Sequence, residues 1–265
     1  MPFLDVDGSR VHYLEAGAGG TPLVLLHAFP LHAGMWAPQL ACLSSGRRVL
    51  APDLRGFGAS DAPVGPARYT MVGYAETLAA FLDGLGLDQI VLGGLSMGGY
   101  VAFAFLRQYA ERVAGLVLAD TRAAADTAEV FGRRSDQQYQ VAGAGTTALL
   151  EVLLVGLLCP HTLAERPELV GHVRRLMDNP AAGYIGALEA MKHRPDATGE
   201  LSSISVPTLV VVGEDDALAP PTMARAMHES IPGSAFSVLP GAGHLSNLEA
   251  PDAFNAAVAE LLERI

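Results

Sequence analysis

The sequence predicts an α/β fold, a mostly parallel sheet flanked by helices on both faces, and three observations carry that expectation. Short apolar runs such as Leu23-Val24-Leu25-Leu26 and Val113-Ala114-Gly115-Leu116-Val117-Leu118-Ala119 alternate with helix-length segments, as strands buried on both faces do. One run, Val91-Leu92-Gly93-Gly94-Leu95-Ser96-Met97-Gly98-Gly99, breaks into glycines around a serine and resumes as an apolar helix. From Arg122 to Glu200 the strand pattern stops, and helical stretches are broken only by Gly143-Ala144-Gly145, Pro160, Pro167, Pro180 and Pro195. The expected organisation is a core of residues 1–121 and 201–265 with a helical cap inserted at 122–200.

Taken in order, Arg10 to Glu15 alternates as a half-exposed strand and Gly17 to Gly20 turns the chain. A buried strand follows to Leu26, then the loop His27-Ala28-Phe29-Pro30 and a helix over Trp36 to Leu43. Arg48 to Ala51 is the next strand. Thr70 is placed to cap a helix that runs to Leu85 and stops at Gly86. Gln89 to Leu92 feeds the serine turn, and Val113 to Ala119 ends at Asp120. After the insertion, Val206 to Gly213 and Ala235 to Leu239 restore strand character, with a helix over Pro221 to Ser230 between them. Pro251 opens a closing helix that extends to Ile265.

Composition bounds the partners. Half of the 265 residues are hydrophobic, enough for a large core, and a net charge of −11 argues against nucleic acid or an anionic membrane. Cys42 and Cys159 form neither a disulfide framework nor a zinc motif, which fits a reducing compartment. The first seven residues lack the basic start and apolar segment of a secretory signal. Ala148 to Leu158 is the most lipid-like stretch; it is too short to span a bilayer, carries Glu151, and reads as a buried helix. A soluble, cytoplasmic chain without stable membrane association is expected; its oligomeric state is not legible.

Gly94, Ser96 and Gly98 fit G-x-S-x-G, a sharp strand-to-helix turn that exposes a serine hydroxyl beside free helix N–H groups. The pentapeptide alone is a weak signal in a chain with 29 glycines; the buried strand before it and the apolar helix after it give it weight. A serine needs a base to take its proton and a carboxylate to orient that base. His244, in the flexible loop Pro240-Gly241-Ala242-Gly243-His244, suits the base better than His228, which falls inside a helix. Glu214, Asp215 and Asp216 follow one buried strand and Asp120 ends another, so the acid stays open among them on position alone, with helix capping as the structural role for Asp120.

In order along the chain, His27-Ala28-Phe29-Pro30, Asp53 to Asp61, Gly94 to Gly98, Gly213 to Asp216 and Gly243-His244 resemble the motifs of the α/β-hydrolase superfamily. Within it the chain is most similar to small bacterial carboxylesterases, enol-lactonases and cofactor-free perhydrolases. The resemblance implies an eight-stranded sheet and a catalytic triad of Ser96, Asp216 and His244. It also implies an oxyanion hole made by the backbone N–H groups of Phe29 and Met97, with no cofactor and no metal. A small ester or lactone is the implied substrate, and Ser96 in place of a nucleophilic carboxylate argues against dehalogenase chemistry. Peroxide as acyl acceptor, suggested by Pro30, and a ligand-binding receptor on the same scaffold are the alternatives.

The remaining motifs read as structural. Asp53, Arg55 and Asp61 brace the sheet edge, and His27 fixes the oxyanion loop. His32 and Trp36 are placed near the pocket, although helix packing accounts for Trp36 equally well. Arg133-Arg134, Arg174-Arg175 and Lys192-His193-Arg194 read as solvated helix faces before they read as anion contacts.

Overall fold

The structure, a computed structural model, describes residues 2–6, 8–65 and 69–265; Met1 and Asp7 of the opening segment lie outside them. Among the described residues eight strands form one sheet: β1 (Phe3–Val6), β2 (Ser9–Ala16), β3 (Leu23–Leu26), β4 (Val49–Pro52), β5 (Ile90–Leu95), β6 (Val113–Ala119), β7 (Thr208–Gly213) and β8 (Ala235–Leu239). Their order is β1-β2-β4-β3-β5-β6-β7-β8. Among the described residues only β1 with β2 and β2 with β4 pair antiparallel; the rest are parallel.

Alternation along the strands divides the core in two. Val24, Leu26, Leu50, Leu92, Leu116 and Val210 point to one face, where Leu78 and Phe81 of α2 (Met71–Gly84) and Val101 and Phe105 of α3 (Met97–Tyr109) cover them. Leu23, Leu25, Val49, Val91, Val117 and Val211 point to the other. There Leu40 and Leu43 come from α1 (Ala37–Leu43), and Phe254 and Val258 from α11 (Pro251–Leu262). Thr70 caps α2 as expected, its Oγ1 accepting the Gly73 N–H at 2.9 Å.

Between β6 and β7 lie α4 (Ala128–Ala144), α5 (Thr147–Leu157), α6 (Pro160–Glu165), α7 (Pro167–Leu176) and α8 (Ala181–Lys192), with no strand among the described residues. Two further helices, α9 (Pro221–Ser230) and α10 (Ser246–Glu249), follow β7 and β8 respectively. No helix among the described residues is long and apolar enough to cross a membrane.

Three expectations need correction. The edge strand β1 lies in the opening segment, where no strand is expected: its four residues are too few and too exposed to show an apolar pattern. The first helix begins at Ala37, because Ala33–Trp36 forms a separate 3-10 turn started by the Gly34 N–H donating to His32 Nδ1. And α5 is not a buried helix. Leu149, Leu154 and Leu157 are buried, but Val152 and Val155 are 69% and 65% exposed, so its apolar run covers both a packed and an open face.

Candidate active site

Ser96 sits between β5 and α3 with φ 54 and ψ −110, a left-handed conformation that a residue with a side chain adopts only at a cost of about 1–3 kcal/mol. The flanking glycines make the turn possible. A Cβ on Gly94 would lie 2.3 Å from the Gly98 carbonyl carbon, and one on Gly98 would lie 2.2 Å from the Leu26 carbonyl oxygen. Ser96 is then pinned from β6: its N–H donates to Ala119 O at 2.9 Å, and Thr121 Oγ1 donates to its carbonyl at 2.8 Å.

His244 and Asp216 leave the carboxyl ends of neighbouring parallel strands, β8 and β7. His244 Nδ1 and Asp216 Oδ2 are 2.8 Å apart and both residues are buried. The other carboxylate oxygen, Oδ1, accepts the N–H groups of Leu218 and Ala219 at 2.8 and 2.9 Å. Burial works against the Asp216 charge, but the His244 ring and these N–H groups outweigh it and hold the carboxyl below its usual range. The loops approach closely: a Cβ on Gly213 would meet Gly243 O at 2.1 Å. Ser96 and His244 line one pocket; among the described residues no hydrogen bond joins them.

Asp120 does not share His244, and it does not cap α4, whose cap is Thr127. With φ 45 it turns inward, accepts the Gly213 N–H at 2.8 Å and accepts the Ser246 hydroxyl. Burial and the adjacent Asp216 carboxylate push its pKa well above the usual carboxylate range. His228 is likewise accounted for structurally, bonded to Ser234 and stacked on Phe236.

The loop after β3 runs beside the elbow because Leu26 pairs with Gly94. Ala28 is not among the residues with positive φ, so alanine is accommodated there without strain. His27 braces this loop: its Nε2 accepts the Leu54 N–H at 2.9 Å and its Nδ1 donates to Ala28 O at 3.0 Å. Burial drives its pKa down to about 4, which keeps the ring neutral in those roles. Asp53 accepts from His12 and from the N–H groups of Ala33 and Ala59, and Asp61 accepts the Arg10 N–H. The N–H groups of Phe29 and Met97 donate to no acceptor among the described residues.

The pocket has a volume of about 200 Å³, small beside the ~300–1,000 Å³ of drug-sized sites. Phe29, Tyr100, Leu157 and Leu218 line it together with Ser96 and His244; α4 adds Val130, Arg133, Arg134 and Gln137, and α5 adds Val152 and Leu153. His32 and Trp36 do not reach it: His32 caps its 3-10 turn and Trp36 packs on Phe254. Arg133 and Arg134, expected on a solvated face, both line it.

Residues without a recognisable motif hold this arrangement together. Glu249 accepts the Gly243 N–H at 2.8 Å and the Cys159 N–H at 2.9 Å, tying the His244 loop to the start of α6. Thr121 and Ser246 fasten the elbow and Asp120, as described above. Glu249 and Ser246 stand near His244 in sequence, but only tertiary contact gives them these partners. Among the described residues no cluster of His, Cys, Asp or Glu is placed to hold a metal ion.

Residues 21–251 match the α/β hydrolase fold family. The chain is 30% identical over 256 residues to 3-oxoadipate enol-lactonase 2 of Acinetobacter baylyi, covering 96% of this chain and 93% of that protein. It is 30% identical over 276 residues to haloalkane dehalogenase 2 of Mycobacterium tuberculosis, covering 97% and 93%. A thermophilic esterase from Thermogutta terrifontis superposes with a TM-score of 0.94 at 39% identity, covering 100% of this chain and 99% of that one. The chain is therefore a member of the α/β-hydrolase family, near its esterases and enol-lactonases.

Proposed function

We infer that the protein is a serine hydrolase of small carboxylic esters or lactones. The observation that carries this reading is the buried Asp216–His244 pair opening onto the same pocket as a serine on a strained elbow. His244 Nε2 takes the proton as Ser96 Oγ attacks the carbonyl carbon, and the Asp216 carboxylate holds the ring and offsets the charge it gains. The N–H groups of Phe29 and Met97, free of other acceptors among the described residues, receive the oxyanion. Collapse of the tetrahedral species expels the alcohol, which takes the proton from His244. Water, deprotonated by the same ring, then releases the acid.

Residues 122–200 act as the cap in this reading and set the size of the substrate, with 1–121 and 201–265 as the hydrolase core. A serine at the elbow favours acyl transfer over the carboxylate-dependent displacement of halide. The free Cys42 and Cys159 support a reducing, cytoplasmic setting. Steady-state hydrolysis of p-nitrophenyl esters from acetate to dodecanoate, on wild type and Ser96→Ala, tests the reading. Turnover of the short esters that vanishes in the variant is expected; equal turnover in both proteins removes Ser96 as nucleophile.

A further inference from the structure

Of the three side chains at the site, His244 is the one whose place depends most on a loop. Ser96 is pinned to β6, and Asp216 accepts two N–H groups of its own turn. The His244 ring is held at Nδ1 by Asp216, while among the described residues no hydrogen bond joins it to Ser96. Where the backbone at 243–245 lies therefore decides how the ring approaches the serine.

The sheet side holds this loop through the Asp215 N–H, which donates to Ala242 O at 2.9 Å. The residues on either side of His244 are fastened to the insertion instead. Leu245 N–H donates to Leu157 O at 3.1 Å. Gly243 N–H donates to Glu249 Oε2 at 2.8 Å, and the other oxygen of that carboxylate accepts the Cys159 N–H at 2.9 Å. Cys159 Sγ lies 3.3 Å from Gly241 O, and the Arg166 guanidinium donates to the Glu249 carbonyl at 2.7 Å. The two segments are in contact as well as bonded: a Cβ on Gly243 would lie 2.6 Å from Cys159 N.

Glu249, Cys159 and Leu245 are buried. A carboxylate that accepts two main-chain N–H groups in the interior makes charge-assisted bonds, and each N–H deprived of its acceptor there carries its full desolvation cost. One side chain thus fixes the spacing between the His244 loop and the start of α6. Leu157, at the end of α5, both lines the pocket and accepts the N–H next to His244.

We propose that Glu249 is a positioning residue for His244, and that the chain from Leu157 to Arg166 is a strap that sets where the base stands. The role given to His244 rests on the hydrolase reading; the strap stands on the hydrogen bonds alone. Glu249 does not line the pocket and acts through Gly243. The insertion then has two parts: α4 and most of α5 face the substrate, and the strap belongs with the catalytic loops.

Kinetics on one short ester, labelling of Ser96 by a small alkyl fluorophosphonate, and hydrogen exchange test this together. Glu249→Gln keeps one acceptor and turns an amide N–H toward the other donor; Glu249→Ala removes both. We expect kcat to fall about tenfold in the first and about a hundredfold in the second, with KM within about threefold of wild type. Every chain should still take one label, at a rate slowed in step with kcat. Cys159→Pro strikes the same carboxylate from the insertion, since φ −68 at Cys159 and extended backbone at Leu158 suit a proline that lacks the N–H. It should lose about as much as Glu249→Gln, and the double variant should be no worse than the poorer single one. Glu151→Gln, which removes an exposed carboxylate of α5, should leave kcat unchanged. In Glu249→Ala, peptides covering 241–245 and 157–163 should lose exchange protection together.

Additive losses in the double variant, protection lost on one segment alone, or kcat in Glu249→Ala within about threefold of wild type would overturn the proposal. So would a variant in which part of the chains stays unlabelled and the rest reacts at the wild-type rate, the mark of a merely structural role. Wild type that turns over no ester would overturn the hydrolase reading and with it the role of the base, while the exchange result would still decide whether the strap joins the two segments.

Discussion

Ser96, Asp216, His244 and Phe29 stand on loops that leave the carboxyl ends of β5, β7, β8 and β3, whereas Arg133, Val152 and Leu153 stand on α4 and α5, which add no strand to the sheet. The first set forms a floor held by backbone: strand register, close glycine contacts and buried bonds to Asp120, Thr121 and Glu249 fix where each side chain begins. The second forms a wall held by side chains, namely helix faces and three guanidinium groups around Asp126. Geometry at the floor has little room to vary without clashes between main-chain atoms. The wall can exchange one side chain for another and keep its helices. On the proposed function, chemistry belongs to the floor and substrate choice to the wall.

The largest expected contrast lies within the floor, between two buried carboxylates at adjacent strand ends. Asp216→Asn should cost about 10³–10⁴ in kcat, because an amide neither fixes the His244 tautomer nor offsets its charge. Asp120→Asn should cost less than about tenfold, since an amide still accepts from Gly213 and still pairs with the Ser246 hydroxyl, and asparagine tolerates positive φ. Comparable losses in both variants, read by steady-state kinetics on one short ester, would erase the distinction between acid and brace.

Next in size is the elbow. Gly98→Ala drives a Cβ into the Leu26 carbonyl at 2.2 Å, so activity should fall about tenfold or more with roughly 1–3 kcal/mol of stability lost. Kinetics and urea unfolding of the one variant measure both. The wall should respond differently. Leu153→Trp enlarges a side chain of the wall that lines the pocket, so turnover of an octanoate ester should drop about tenfold while that of acetate changes less than about threefold. An equal loss on both chain lengths would show that floor and wall are not separable.

The smallest effect is in stability against pH, where the two carboxylates should have opposite signs. The Asp216 carboxyl is held below its ordinary value, so its contribution is complete above about pH 4 to 5 and drains as the pH falls through the depressed pKa. Asp120 is raised instead: its burial costs nothing while it is protonated in both states, and the cost grows as the pH rises above about 4 toward its folded pKa. From about pH 2 to 7, the stability of Asp216→Asn relative to wild type should worsen up to about pH 4 to 5 and then stay level, and that of Asp120→Asn should improve above about pH 4. Urea unfolding across that range reads both slopes.

The same division explains what the sequence discloses. The strand-elbow-helix unit is visible because a buried strand, two glycines and a helix must lie consecutively, and the Gly213–Asp216 and Gly243-His244 loops are visible because close loop contact demands glycine. Asp120 as a brace is not visible, because its partners Gly213 and Ser246 are 93 and 126 residues away. On the wall, an apolar run such as Leu149–Leu157 looks the same whether it faces core or open pocket, and α5 faces both. The four-residue edge strand β1 has too little burial to leave a pattern. For Arg133 a signal existed: the i, i+3, i+4, i+7 set from Val130 to Gln137 marks one helix face. What the sequence does not give is the direction in which that face looks.

The most direct test of the central claim is covalent capture of the nucleophile. Wild type is treated with a small alkyl fluorophosphonate and the adduct located by peptide mass spectrometry, with Ser96→Ala alongside. The account predicts one adduct per chain, on Ser96, with hydrolysis lost in step with labelling and neither label nor turnover in the variant. An adduct on another residue, or ester hydrolysis that persists when Ser96 is fully modified, would contradict it.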